Sequence, residues 1–292
     1  SLTEPTGACS LRVENFFRED DWRTTVGFGL EEAKYNTFTR DLQVPEGIPP
    51  IDYSSDLRLL KYGFFGSITR TLFKERLSLT LGLRGDGNTF NQEMANPLNQ
   101  LGTKVALSYN ISSELSFNAN YGIYYQLPPY TTLGFRDAQG NLVNEDLSYI
   151  RSEHYVAGLA YYLPWSAKIS LEGFYKRYSQ YPFLLSDSIS LANLGSDFGV
   201  IGNRPAVSNS EGRAYGLEFL YQQKLYQGWF GTLAVTLVKS EFEDKNGDFI
   251  PSSWDNQYIV TLTAGKKFGQ KWEVGAQYQL LGGAPFTPGD LA

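Results

Sequence analysis

The chain has 292 residues and a formal net charge of -6, and it is rich in tyrosine (20) and phenylalanine (19). A single cysteine excludes an intrachain disulfide framework, and a single histidine leaves too few parts for His-cluster metal sites and for most Ser-His or Cys-His catalysis. No basic block of the kind that binds nucleic acid is present, and no run of about 18 apolar residues could form a transmembrane helix. We therefore expect no enzyme activity, no cofactor, no metal site and no nucleic-acid partner.

Alternation of apolar and polar residues is the main structural signal along the chain. Successive side chains of a strand point to opposite faces, so a period of two predicts a strand with one apolar face. About twelve segments show this period, at lengths that suit a tilted strand crossing a bilayer. In chain order the predicted strands cover 10–18, 22–35, 57–71, 75–84, 103–111, 114–123, 152–163, 166–172, 212–225, 228–241, 255–268 and 271–280.

The clearest alternation lies in the fourth and sixth predicted strands. Polar residues or glycine separate apolar residues at every second position from Leu77 to Leu83 and from Leu115 to Tyr121. We expect one lipid-facing surface to include the following apolar side chains: Leu77, Leu79, Leu81, Leu83, Leu115, Phe117, Ala119 and Tyr121.

Connections between the predicted strands are short and long in strict alternation. The short ones lie near 19–21, 74–75, 112–113, 164–165, 227–228 and 269–270, and the long ones cover 36–56, 91–102, 126–151, 181–211 and 242–254. Outer-membrane barrels sort their loops in this way, with short periplasmic turns and long extracellular loops, whereas a soluble β-sandwich has no reason to do so. The prediction is an all-β, transmembrane, antiparallel up-and-down β-barrel in contact with the lipid bilayer of a bacterial outer membrane.

Aromatic residues cluster near both expected lipid–water boundaries, as girdles do in such barrels. Those near short turns are Phe73, Trp165, Tyr226, Trp229, Phe268 and Trp272, and those near long loops are Tyr35, Tyr62, Tyr124, Tyr125, Tyr175, Tyr178 and Tyr258.

The segment Tyr124–Arg136, which leads into the third long loop, contains the candidate ligand-contact residues. They are aromatic or cationic and are stiffened by two prolines: Tyr124, Tyr125, Tyr130, Phe135 and Arg136. Rigid aromatic side chains bind at low entropic cost, although an interfacial girdle with a packed loop is the alternative. The next long loop, 181–211, is apolar enough to fold over the barrel mouth through Phe183, Leu184, Leu185 and Phe198.

Charged residues on the polar faces offer weaker hypotheses. We expect His154 to line the lumen or the outer rim, and we expect cross-strand pairs among the solvated luminal charges Arg84, Lys168, Glu172, Lys176, Glu218 and Glu273. The segment 244–248 resembles the start of a calcium loop, but it lacks the late glutamate and also suits a polar hairpin tip.

Strand parity predicts that both chain ends lie on the extracellular side. We therefore expect residues 1–292 to be a single segment of a larger barrel, without a plug domain, in which the first and last strands do not pair. The alternative is an engineered or permuted twelve-strand barrel that closes on itself.

Several short sequence segments resemble those of a known protein family. They occupy residues 62–65, 81–88, 96–100, 124–130, 171–178, 211–218 and 282–288. From about Arg18 to its end, the chain resembles the barrel domain of TonB-dependent outer-membrane receptors. The resemblance implies a 22-strand barrel, uptake of a scarce nutrient such as a ferric siderophore as the small-molecule ligand, and coupling to the TonB complex through a plug. Three alternatives remain: a passive outer-membrane pore, a structural barrel, and a barrel that binds a surface lipoprotein or another outer-membrane partner.

Overall fold

The computed structural model describes residues 7–41, 51–137, 139–194 and 202–285. These residues form one antiparallel sheet with short helical turns in its loops. The strands are β1 (Gly7–Glu19), β2 (Trp22–Asp41), β3 (Ile51–Leu72), β4 (Leu77–Asn88), β5 (Leu101–Asn110), β6 (Leu115–Gln126), β7 (Ile150–Leu163), β8 (Ala167–Leu184), β9 (Ile189–Ser190), β10 (Ala206–Tyr226), β11 (Trp229–Glu243), β12 (Phe249–Pro251), β13 (Tyr258–Phe268) and β14 (Trp272–Leu281). The helices are α1 (Gln92–Ala95), α2 (Tyr130–Leu133) and a 3₁₀ turn at Leu191–Asn193.

The sheet follows an up-and-down order. Its long strands pair with their neighbours in chain order, while the two short strands β9 and β12 extend β8 and β11. Each of the twelve predicted strands is therefore confirmed. Within the described residues, β1 pairs only with β2 and β14 pairs only with β13. The sheet is consequently open, as a partial barrel would be, and the closed twelve-strand alternative is not what the structure shows.

Tight turns close one end of the sheet. The turn between β10 and β11 is the simplest, because Tyr226 pairs directly with Trp229 across two residues. Those residues, Gln227 and Gly228, have φ angles of 51° and 83°. Two positive φ angles are what a type I′ hairpin turn requires, and glycine adopts them without a Cβ penalty.

The register places the predicted apolar residues on one continuous surface. Leu81 lies between Ile68 of β3 and Val105 of β5, and Val105 in turn pairs with Tyr121 of β6. Directly paired residues of antiparallel strands point to the same side of a sheet, so the lipid-facing set predicted on β4 and β6 is confirmed. The intervening positions form the luminal surface, which includes all six charged residues expected there.

The girdle prediction holds for three of the seven tyrosines near long loops and is wrong for the other four. Tyr62, Tyr175 and Tyr258 share the apolar surface, because they pair with Leu30, Tyr215 and Leu237 respectively. Tyr35, Tyr124 and Tyr178 occupy the alternate positions, where their direct partners are Leu57, Ser152 and Ser152. Tyr125, at the end of β6, packs against the buried cluster that includes Leu59 and Tyr149. Proximity to a loop therefore indicates depth in the membrane but not the face.

Extracellular loops and the strand ends beside them form the main buried hydrophobic cluster of the described residues. A barrel wall has lipid on one side and a lumen on the other, so it buries little by itself. The loops instead pack together over the mouth as a cap, defined by the buried side chains Leu57, Leu59, Met94, Leu133, Leu147, Tyr149, Leu184, Leu191 and Ala206.

The loop 181–211 contributes to this cap, as expected from its apolar composition. Leu184 is buried in the cap, whereas Leu185 is exposed, and Phe198 lies outside the described residues. The segment is not all loop, because β8 continues to Leu184 and β10 begins at Ala206.

Candidate luminal binding site

The luminal wall just below the cap contains three cavities. The first, about 480 Å³, is lined by luminal charges of β1 to β4 together with Tyr125 and Tyr149. The second, about 430 Å³, adds Lys104 and Tyr124. The third, about 760 Å³, lies along β6 to β13 and includes Tyr124, Tyr125 and His154. Cavities of this size suit small-molecule ligands.

Tyr124 and Tyr125, both predicted as ligand contacts, are brought together at these cavities. Tyr125 lines all three, and Tyr124 lines the second and the third. The Tyr124 ring lies 4.7 Å from the ring of His154, measured between centroids. We propose that these two side chains contact a ligand.

Tyr130 is held between the wall and the cap. Its hydroxyl accepts a hydrogen bond of 2.8 Å from Lys61 Nζ, which also forms an ion pair of 2.5 Å with Glu31. Its ring packs at 5.7 Å from that of Tyr35. Lys61 and Glu31 line the first cavity, so Tyr130 borders that cavity through its partner and anchors α2 to β3.

Phe135 and Arg136 stand apart from the three cavities and line none of them. Arg136 forms an isolated bridge with Leu142, and its Nη1 donates to the carbonyl of Gly140 at 2.9 Å. Within this small hairpin, hydrogen bonds from Asn141 hold the pKa of Asp137 below its usual value. The five predicted residues therefore fall into two groups. Tyr124, Tyr125 and Tyr130 lie at the wall beside the cavities, and Phe135 and Arg136 lie apart in a loop.

Two luminal residues that the ligand prediction did not include lie beside Tyr124. His154 and Lys176 are direct partners on β7 and β8 and both line the third cavity. His154 Nε2 lies 2.6 Å from Ser152 Oγ, and Lys176 Nζ lies 5.2 Å from the centroid of the Phe174 ring. Among the described residues Lys176 forms no ion pair. Their alternation placed both on a polar face, but only the register of β6, β7 and β8 brings them next to Tyr124.

Luminal charges pair in ways that the sequence predicted only in part. Arg84 binds Asp86 of its own strand, with Nε 2.6 Å from Oδ2, so this pair is not the cross-strand contact that was expected. Glu273 does pair across strands, with Lys267 at 3.4 Å.

Buried polar contacts hold the cap rigidly above these cavities. Asn88 Nδ2 donates to the Tyr149 hydroxyl at 2.9 Å, and burial raises the pKa of that hydroxyl. Asn144 donates to the carbonyls of Thr132 and Arg204 at 2.8 and 3.1 Å and accepts from the amide of Ala206 at 2.9 Å. One asparagine thus connects two long loops to the start of β10.

The hairpin tip at 244–248 has the geometry of a polar turn. Asp244 Oδ1 accepts from the amides of Asn246 and Asp248 at 2.8 and 3.0 Å, and Gly247 has a φ of 80°. Among the described residues, no group of three or more His, Cys, Asp or Glu side chains is placed to hold a metal ion. In the described part of the chain, no helix has the length and apolarity needed to span a membrane.

Comparison with solved structures identifies similar barrels. The copper transporter OprC aligns with a TM-score of 0.65 and 16% identity over 94% of this chain and 43% of its own. The ferripyoverdine receptor of the outer membrane of Pseudomonas aeruginosa aligns with a TM-score of 0.63 and 16% identity, over 94% and 38%. The ferric-catecholate import receptor Fiu from K12 E. coli aligns with a TM-score of 0.65 and 10% identity, over 93% and 43%. The chain thus spans well under half the length of these proteins.

Sequence comparison gives the family directly. A search of curated proteins found no significant match. The family model described as "TonB dependent receptor-like, beta-barrel" matches residues 7–291. This match covers nearly the whole chain, and members of the family are outer-membrane proteins of Gram-negative bacteria. The chain therefore belongs to the TonB-dependent receptor β-barrel family.

Proposed function

We propose that this chain forms part of the wall of a receptor that captures a scarce nutrient, such as a ferric siderophore, at the luminal mouth. Release through the barrel would then depend on the TonB complex, acting through a plug. The observation that carries the proposal is the third cavity, where Tyr124, His154 and Lys176 face one space of about 760 Å³ below a rigid cap. Similar folds occur in receptors described as binding ferripyoverdine or importing ferric catecholates.

The chemistry of this cavity suits an oxygen-rich, anionic chelate with aromatic or planar parts. Lys176 supplies a cationic donor that forms no ion pair with a described carboxylate, and the one carboxylate that lines the cavity, Glu218, lies four residues beyond the β10 partner of Lys176. Charge-assisted hydrogen bonds to anionic oxygens are about twice as strong as neutral ones. Tyr124 and Tyr178 supply flat surfaces with polar tips, which bind with little loss of side-chain entropy. A cavity of this volume would enclose a compact chelate rather than a polymer.

Uptake by the intact receptor tests the proposal. A panel of ⁵⁵Fe-loaded catecholate, hydroxamate and mixed siderophores is offered to iron-limited cells with and without functional TonB. We expect TonB-dependent uptake of at least one chelate and an increase of about tenfold in its Kd for Lys176→Gln, as expected for the loss of one charge-assisted contact. Tyr124→Leu should weaken binding in the same direction.

Lys168→Gln is the matched control, because Lys168 faces the lumen from the same strand but lies near the short turn. Its Kd should equal that of the unmodified receptor. Equal losses in both lysine variants would overturn the assignment of the site. Ligand-independent conductance without TonB-dependent uptake would favour the passive pore, and capture of a surface lipoprotein without uptake would favour a partner-binding barrel.

A further inference from the structure

A row of four tyrosines crosses the lipid-facing surface near the long-loop side. Tyr121, Tyr155, Tyr175 and Tyr215 stand on β6, β7, β8 and β10, and adjacent ring centroids are 4.9, 6.3 and 6.3 Å apart. Tyrosines at this position mark the boundary between the lipid tails and the headgroups. Because this boundary lies on the long-loop side, it belongs to the outer leaflet.

A band of charges follows immediately above the tyrosine row on the same surface. The ion pairs join Arg151 to Glu153, Arg177 to Glu211 at 2.9 Å, and both Arg213 and Lys239 to Glu241 at 2.8 and 2.6 Å. The carboxylate of Glu243 also belongs to this band and accepts from the amide of Glu211 at 3.0 Å. Cations and carboxylates are therefore equal in number.

Exposure makes the band effectively cationic where Glu241 lies. The Glu241 side chain is 5% exposed, whereas Arg213 and Lys239 are 37% and 50% exposed. Two cations thus cover one buried carboxylate, and a group approaching from the leaflet meets positive charge first. The guanidinium carbon of Arg213 also lies 4.3 Å from the centroid of the Phe249 ring, a cation–π contact that orients it in advance. Glu211 is the exposed carboxylate nearby, and Arg177 pairs with it.

A groove leads from Arg213 of this cationic pair into the lipid-facing surface. Ala157 and Gly173 are direct partners on β7 and β8 and are too small to fill the space between the tyrosine row and Leu217. The resulting depression has a volume of about 840 Å³, and Arg213 lines its upper end. A Cβ added at Gly173 would meet Leu217 Cδ2 at 3.5 Å, an ordinary contact. The depression therefore results from the small residues, and a Cβ at position 173 would fit there without strain.

We propose that this groove binds one phosphate-bearing anionic lipid of the outer leaflet, with an acyl chain over Ala157 and Gly173 and the phosphate on Arg213 and Lys239. Arginine binds phosphate oxygens through two parallel N–H donors, and the adjacent lysine adds a point charge. The groove lies below the tyrosine row, within the depth of the lipid tails, where a water-soluble partner does not reach. Charge above and apolar surface below match the two halves of an anionic lipid.

Native mass spectrometry of the intact receptor in a non-ionic detergent tests this proposal. The probes are lipid A carrying both phosphates and the same lipid after enzymatic dephosphorylation. We expect the phosphorylated form to bind about tenfold more tightly, as expected for one bidentate charge-assisted contact. The double variant Arg213→Gln/Lys239→Gln should abolish that preference. Gly173→Leu should weaken both lipids equally, because it fills the groove and leaves the charges in place.

Lys266→Gln provides the matched control. Lys266 shares the lipid-facing surface but stacks on Trp229 at 4.4 Å, at the short-turn side. Its removal should leave the preference intact, and each variant is checked for folding by its heat-modifiable gel mobility. Equal binding of the two lipids would overturn the proposal. So would a preference that survives the double variant, or one that Lys266→Gln also removes.

Discussion

A tyrosine in this wall has a role that depends on one position of alternation. Tyr175 faces the lipid and stacks at 6.3 Å on Tyr215 within the outward row. Tyr178, three residues later on the same strand, faces inward and packs at 5.4 Å on Phe242. Successive residues of a strand point to opposite sides. Two residues separated by an odd number of positions therefore face different environments, one the membrane and the other the lumen. Side-chain chemistry alone does not distinguish the two roles.

The same reasoning predicts the effect of a charge at Leu81. Leu81 is 55% exposed on the lipid-facing surface, so Leu81→Arg would place a guanidinium among lipid tails. We expect it to lower the free energy of unfolding by about 2–4 kcal/mol if the site is near the membrane midplane. Denaturant unfolding of the intact protein in lipid vesicles measures this change.

Ala106→Arg is the control at the same depth. Ala106 pairs with Thr80, the inward-facing neighbour of Leu81. Its replacement should change the free energy of unfolding by less than about 1 kcal/mol, since the new charge meets a polar lumen. Similar costs for the two arginines would contradict the assignment of faces.

At the scale of elements, the specific buried polar contacts lie in the loops and in the strand ends beside them. Asn91 caps α1 by accepting from the amide of Met94 at 2.8 Å, and its Nδ2 donates to the carbonyls of Glu145 and Leu147. Ser55 donates to the carbonyl of Gly134 at 2.9 Å. Contacts of this kind join loops that are distant in sequence, so the cap should open as a unit rather than one loop at a time.

Asn144→Ala should release this cap while the wall stays folded. The substitution leaves the carbonyls of Thr132 and Arg204 and the amide of Ala206 without their partner, and each buried unpaired group costs about 1–3 kcal/mol. We expect faster hydrogen exchange in the segments 127–137, 139–149, 185–194 and 202–205 and unchanged exchange in the long strands of the wall. Hydrogen-exchange mass spectrometry of the intact protein measures both.

Asn141→Ala is the matched control for this change. Asn141 lies in the same loop, but its side chain is exposed and binds only Asp137. Its removal should affect the small hairpin at 136–142 and nothing beyond it. Uniformly faster exchange across the strands in Asn144→Ala would show that the cap and the wall are one cooperative unit.

Strand positions were predictable, but strand lengths were not. The third predicted strand covered 57–71, whereas β3 is Ile51–Leu72, and the predicted 212–225 became Ala206–Tyr226. Above the membrane both faces meet water or loops, so the alternation lapses while the hydrogen-bond ladder continues. Helices α1 and α2 have four residues each, too few to show a helical period or to form without tertiary support.

At the scale of the whole molecule, the sheet described by the structure has two open edges. β1 and β14 are exposed along their whole lengths, and one side of each ladder has no partner among the described residues. Unpaired backbone groups each cost several kcal/mol in lipid. We expect residues 1–292 alone either to fail to insert or to conduct without gating, and not to show ligand-stimulated, TonB-dependent uptake. Gel mobility with and without heating, followed by planar-bilayer recording, provides the test.

A disulfide crosslinking experiment distinguishes an open sheet from a sheet that closes on itself by pairing β1 with β14. In a background with Cys9→Ser, cysteines replacing Val13 on β1 and Tyr278 on β14 should form no intrachain disulfide. Cysteines replacing Val13 and Phe28, which are direct partners on β1 and β2, serve as the positive control. A Val13–Tyr278 disulfide in a monomer would show that the twelve strands can close.

The sequence by itself determined the number of long strands, their alternating connections, the lipid-facing surface and the family resemblance. These features are local, because a strand between lipid and lumen must alternate its residues whatever its neighbours are. Only the tertiary structure decided which inward residues meet at the mouth, that Tyr130 is held by Lys61, and that Arg213 and Lys239 cover one carboxylate. Those contacts depend on the register between strands and on packing between distant loops. A shift of one residue in the register would exchange the two faces of a strand. The pattern within a single segment specifies neither the register with its neighbours nor the packing between loops.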